Sequence, residues 1–137
     1  MMNPDQLISH AKDRGIELSV TSDYDLKASS NKDLLTQEAI DFLKINKESI
    51  VDQLCNYEFQ AEVFRIINPD DIGLVVKAVK TISGRHRLEV LNHYLREFDQ
   101  GYEAESNPVK KRNAGSYRAN TWLLKKRTLD LSNRGAA

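Results

Sequence analysis

At 137 residues and 15.6 kDa the chain is one ordinary domain or two very small ones, long enough to bury about two thirds of its unfolded surface. A content of 40% hydrophobic and 29% charged residues, with six Gly and three Pro, excludes disordered and collagen-like classes and fits a soluble folded protein. No apolar run reaches the roughly 18 residues of a membrane span, so no membrane association is expected.

The start, Met1 to Asp5, is polar where a secretory signal needs a basic residue and an apolar stretch. The single cysteine, Cys55, excludes an internal disulfide and a cysteine-based zinc site, which fits a cytoplasmic setting. Charge is uneven along the chain. Residues 1–58 carry six basic and eleven acidic side chains, net −5; residues 59–107 carry six and eight, net −2; residues 108–137 carry eight and one, net +7. The last thirty residues are a basic block, the sign of an acidic or nucleic-acid partner or of an intramolecular match.

In chain order, Asn3-Pro4-Asp5 predicts a helix start, because Asn accepts from an orphan backbone N–H and proline loses nothing at the first helical position. Gly15 predicts its end. Alternation at Ile16, Leu18 and Val20, then at Leu26 and Ala28, predicts a short β-hairpin turning over Thr21 to Asp25. Two strands alone are marginally stable, so their apolar face must lie on neighbouring helices. Thr36 predicts the cap of a helix packing through Ile40, Phe42, Leu43 and Ile45, interrupted at Asn46. A further helix from about Lys47 packs through Ile50, Val51 and Leu54.

Residues 57–67 are compatible with helix or with an extended end. Asn68-Pro69-Asp70-Asp71 repeats the capped start, with Ile72, Val75, Val76 and Val79 at amphipathic spacing and Gly84 as the exit. Leu88, Leu91, Leu95, Phe98 and Tyr102 then step by three and four, the seam of a packed helix. Asn107-Pro108 opens a last helix whose Tyr117, Trp122 and Leu124 read as its buried face. The expected fold class is α+β: a helix–hairpin–helix–helix unit over residues 1–57 and an all-helical extension over 58–137 ending in a basic helix.

The stretch Leu7 to Leu18 with its Arg14-Gly15-Ile16 step, the hairpin, Leu35-Thr36-Gln37-Glu38-Ala39-Ile40 and Lys47 to Leu54 together resemble the TubC N-terminal docking domain over about residues 3–55. The resemblance implies a small homodimeric docking fold that receives a segment of another protein beside an exposed hairpin edge. It places the partner-binding surface at Tyr24, Asp25, Leu26, Lys27 and Ala28. An unpaired strand edge suits that role, since it offers main-chain donors and acceptors while alternate side chains select the partner. The 82 residues after residue 55 are too few for a condensation, adenylation or carrier domain. The expected function is therefore a stand-alone adaptor, with Asn113 to Leu123 resembling small accessory proteins of bacterial phages and plasmids.

No catalytic signature is present: His10, His86 and His93 form no His-Glu-x-x-His pattern, and no phosphate loop or nucleophile elbow occurs. No enzyme activity and no cofactor are expected. His86, Glu89, His93 and Glu97 recur at helical steps and could share a metal, or form a solvated face. Cys55 reads as a small apolar packing residue. The competing function is nucleic-acid binding by Lys110, Lys111, Arg112, Arg118, Lys125, Lys126 and Arg127, with Tyr117 and Trp122 available for stacking on bases.

Overall fold

The computed structural model describes residues 3–30 and 35–136, with side chains described up to Lys126. The chain is α+β and divides into two compact units. One is Met1–Phe59 with Ser83–Arg85; the other is Gln60–Ile82 with His86–Ala137.

In the first unit, helix α1 (Pro4–Asp13) is started by a reciprocal cap. The Asn3 side chain accepts from the Gln6 N–H at 2.9 Å, and the Gln6 side chain accepts from the Asn3 N–H at 2.9 Å. Such a cap stabilises a helix by about 1 kcal/mol. Gly15, at φ 82°, turns the chain straight into β1 (Ile16–Val20). Strand β2 (Leu26–Ser30) returns antiparallel, with Leu18 opposite Ala28 and Val20 opposite Leu26.

Inside the bonded pair Thr21 and Asp25 the connecting loop has three residues, Ser22 to Tyr24. Thr21 N–H donates to the Asp25 carbonyl at 2.8 Å and the Tyr24 N–H to the Thr21 carbonyl at 3.0 Å. Tyr24 sits at φ 61°, the left-handed position at which this loop class usually carries glycine. One face of the hairpin packs down: Leu18, Leu26 and Ala28 join Ile8, Leu35, Phe42 and Leu54 around buried Leu7, Leu43 and Ile50.

Helix α2 (Gln37–Ile45) begins at Thr36, whose hydroxyl accepts from the Ala39 N–H. It ends at Asn46, whose side-chain amide donates to the Phe42 carbonyl. Ile45, expected among its packing residues, is 84% exposed, because two residues on from buried Leu43 it points to the opposite side of the helix. Helix α3 (Lys47–Glu62) buries Ile50, Val51, Cys55 and Phe59, and it passes residue 57 without interruption. Cys55 is fully buried.

In the second unit a 3-10 turn (Val63–Arg65) leads to helix α4 (Pro69–Ala78), capped by Asn68, whose side chain accepts from the Asp70 N–H. Gly84 is the first residue of helix α5 (Gly84–Ala104); α4 ends earlier, at Ala78. The Arg87 guanidinium binds the carbonyls of Val79 and Lys80, satisfying acceptors that the finished helix leaves behind. The buried α5 seam is Leu88, Leu91, Tyr94 and Phe98; Tyr94, not among the expected seam residues, is fully buried, whereas the expected Leu95 is half-buried and Tyr102 is exposed.

Helix α6 (Lys111–Ala136) packs through Gly115, Ser116, Ala119 and Leu123. This corrects the expected face: Tyr117 is 75% and Leu124 54% exposed, and only Trp122 is half-buried. The reason is close approach. A Cβ on Gly115 would lie 2.9 Å from the Phe98 carbonyl oxygen, so α5 and α6 meet over small residues and the large ones are left outside. Among the described residues no helix is long and apolar enough to cross a membrane.

Candidate functional site

The hairpin register decides which backbone groups face outward. Because Thr21 and Asp25 share an inward bond, the alternation of an antiparallel ladder makes Ser19–Lys27 and Glu17–Ser29 the bonded pairs. The backbone groups of Leu26 and Ala28 then point to the outer edge of β2. Among the described residues the sheet has two strands only, so no third strand covers that edge.

Beside the edge runs a groove of about 300 Å3 lined by Leu26, Ala28, Leu35, Ile40 and Leu43, with Asp25, Lys44 and Lys47 at its rim. Its floor is apolar and its rim carries two ammonium groups and one carboxylate. Lys47 reaches Asp25 at 2.7 Å, and the Asp25 carboxylate also accepts from the Leu26 N–H at 2.8 Å. These contacts, the Lys47 hydrogen bond first and the Leu26 N–H second, hold the Asp25 carboxyl below its ordinary value of 3.8. The chain therefore caps the first outward donor of its own edge and leaves Ala28 as the next.

The five residues expected to bind a partner divide by this geometry. Asp25, Leu26 and Ala28 line the groove. The side chains of Leu26 and Ala28, however, face the apolar interior, because their pleat positions match Val20 and Leu18. Lys27 projects from the opposite face with Glu17, Ser19 and Ser29. Tyr24 is half-buried and lines a separate cleft with Lys47, Glu48, Ser49 and Asp52. The other wall of the groove, Leu35, Ile40, Lys44 and Lys47, escapes sequence reasoning. Its one signal is the pair of lysines bracketing Asn46.

The basic residues of the second unit are not gathered on one face. The Lys111 ammonium donates to the Tyr102 carbonyl at 3.1 Å and lies 5.2 Å from the centre of the Tyr102 ring. Arg118 is paired with Glu97 at 2.8 Å and donates to Gln100. Lys126 stands over the Trp122 ring. Lys110, Arg112 and Lys125 are exposed, with no ion pair among the described residues. The Arg127 side chain lies outside the described residues.

Trp122 stacks on His93, with ring centres 4.1 Å apart, and His93 meets Glu97 at 3.3 Å. The Arg118 hydrogen bond is the main cause that keeps the Glu97 carboxyl below its usual range, helped by His93. Of the four residues His86, Glu89, His93 and Glu97, His93 and Glu97 meet directly. Among the described residues no group of three or more His, Cys, Asp or Glu side chains is placed to hold a metal.

A polar chain unforeseen in the sequence runs through the interior of the second unit. The Tyr94 hydroxyl donates to Asn120 Oδ1, and Asn120 Nδ2 donates to Asp71 Oδ1 at 3.1 Å. Asp71 is buried, and its Oδ2 has no hydrogen-bond partner among the described residues. Burial, aided by the Asp71 charge, raises the Tyr94 hydroxyl far above its ordinary 10.0. No protein-family model matches the chain, and no curated protein or solved structure matches it.

Proposed function

We propose that this chain is a non-enzymatic docking protein that takes an extended segment of another protein as a third strand along the outer edge of β2. The observation that carries the reading is the juxtaposition of an uncovered strand edge, an apolar groove and two lysines at its rim. Main-chain pairing at Ala28 would supply affinity in any register-compatible peptide, while the groove selects an apolar side chain and the lysines select an acidic one. In this reading the chain is a cytoplasmic adaptor that resembles the TubC docking fold over residues 3–55 and works as a homodimer. It serves as an accessory or inhibitory protein of a bacterial mobile element. Sedimentation of the purified chain tests the dimer.

A labelled octapeptide alternating valine and glutamate is the direct probe of the edge. The wild-type chain is expected to bind it and the Ala28→Pro variant to lose about tenfold or more, since proline removes an outward donor without touching a β1–β2 bond. Replacing Leu26 would be a poorer test, because its side chain belongs to the interior. Equal binding by a folded Ala28→Pro variant, or no binding by the wild type, would defeat the proposal.

A further inference from the structure

The outward face of α6 offers a second surface of different character. Lys110, Tyr117 and Leu124 recur every seven residues, with Asn113 and Thr121 between them and Lys125 one turn beyond Thr121, and such spacing forms one stripe along a helix with Lys125 on its flank. Lys110 belongs to that stripe because its carbonyl accepts from the Ala114 N–H at 2.9 Å, the first bond of the helix. Lys110, Asn113, Tyr117, Leu124 and Lys125 are all exposed. The stripe is thus an apolar pair with one ammonium group before it and one beside its far end, opposite the small residues that face α5.

We infer that this face receives an acidic amphipathic helix from a partner protein, independently of the β2 edge. Charge complementarity argues for that occupant, since Lys110 and Lys125 on this face are exposed and have no ion pair among the described residues. Two alternatives fit worse. A nucleic-acid backbone needs cations in register with its phosphates, yet Lys111, Arg118 and Lys126 are engaged by groups on α5 and α6; of the exposed Lys110, Arg112 and Lys125, Arg112 falls off the stripe and an apolar pair separates the other two. A second copy packed antiparallel on the same stripe would set the Lys110 end against the Lys125 end, like charge on like. An acidic helix places leucines on Tyr117 and Leu124 and carboxylates on the two lysines.

The test is a fluorescein-labelled peptide of about 18 residues with leucine at helical three-and-four spacing and glutamate elsewhere, titrated into the full chain by anisotropy. Binding is expected. It should weaken about tenfold in the Lys110→Glu, Lys125→Glu double variant and in the Tyr117→Ser, Leu124→Ser double variant, and stay unchanged in Ala28→Pro. All the replaced side chains on α6 are exposed, and circular dichroism checks that each variant keeps its helix. The inference is overturned if the peptide fails to bind, or if neither double variant weakens it. It is equally overturned if a duplex DNA oligonucleotide binds in its place with a steep salt dependence, or if the chain self-associates and the double variants disperse it.

Discussion

The hairpin unit and the helical unit place their polar groups in opposite ways. In the first, the interior around Leu7, Leu43 and Ile50 is apolar, and the ionic contact between Asp25 and Lys47 stands at the solvent rim. In the second, a carboxylate, an amide and a phenol are drawn inside and joined across α4, α5 and α6. An exposed ion pair contributes little to stability and can be exchanged for a partner's charge at small cost. A buried hydrogen-bonded chain fixes one arrangement of three helices and is expensive to break. The contrast assigns recognition to the rim of the first unit and structural definition to the interior of the second.

The sharpest way to break that contrast is at the α5–α6 contact. Gly115→Val would push side-chain atoms into Phe98 and should cost about 3 kcal/mol, read as a lowered midpoint in denaturant unfolding. Next comes Asn120→Ala, which leaves the Tyr94 hydroxyl and Asp71 Oδ1 without their partner and should cost about 2 kcal/mol. The same chain gives an alkaline signature. Because the Tyr94 value is raised on folding, its contribution is whole below the unfolded value of 10.0 and is lost as pH climbs through the higher folded one. Absorbance titration should show one of the five tyrosines ionising late, in step with unfolding.

Changes in the first unit should be milder. Tyr24→Asn relieves a left-handed backbone that costs a tyrosine about 1 kcal/mol, and after the lost side-chain contacts the thermal midpoint should rise slightly. The smallest effect is ionic. Folding lowers the Asp25 value, so its contribution is present above the unfolded 3.8 and disappears as pH falls through the lower folded one. The Leu26 amide proton, which donates to that carboxylate, should shift with a midpoint below 3.8 in an NMR titration.

What could be read from residues alone followed from local rules. The Asn3 and Asn68 caps, the Thr36 cap, the alternation at Ile16, Leu18 and Val20 and the helical steps from Leu88 are short-range patterns, and each marks an element the structure contains. Faces were harder. Tyr117 and Leu124 are large and apolar, but the helix contact selected Gly115, Ser116 and Ala119 because close backbone approach favours small side chains. Gly84 looked like punctuation, while its place is the first turn of α5. Asp71 belongs to the capped start Asn68-Pro69-Asp70-Asp71, and only the long-range partner Asn120 explains its burial. For the candidate site, the hairpin edge was legible through its alternation. The groove wall from α2 was not, since Ile40, Lys44 and Lys47 meet β2 only through tertiary packing.

Hydrogen exchange at the Ala28 amide, with and without the valine–glutamate octapeptide, decides whether the outer rim of β2 is open to a third strand. An open rim gives rapid exchange in the free chain and at least about tenfold slowing when the peptide is bound, with the Lys27 amide already protected in both states. An Ala28 amide protected before any peptide is added, or one whose exchange the bound peptide leaves unchanged, would contradict it.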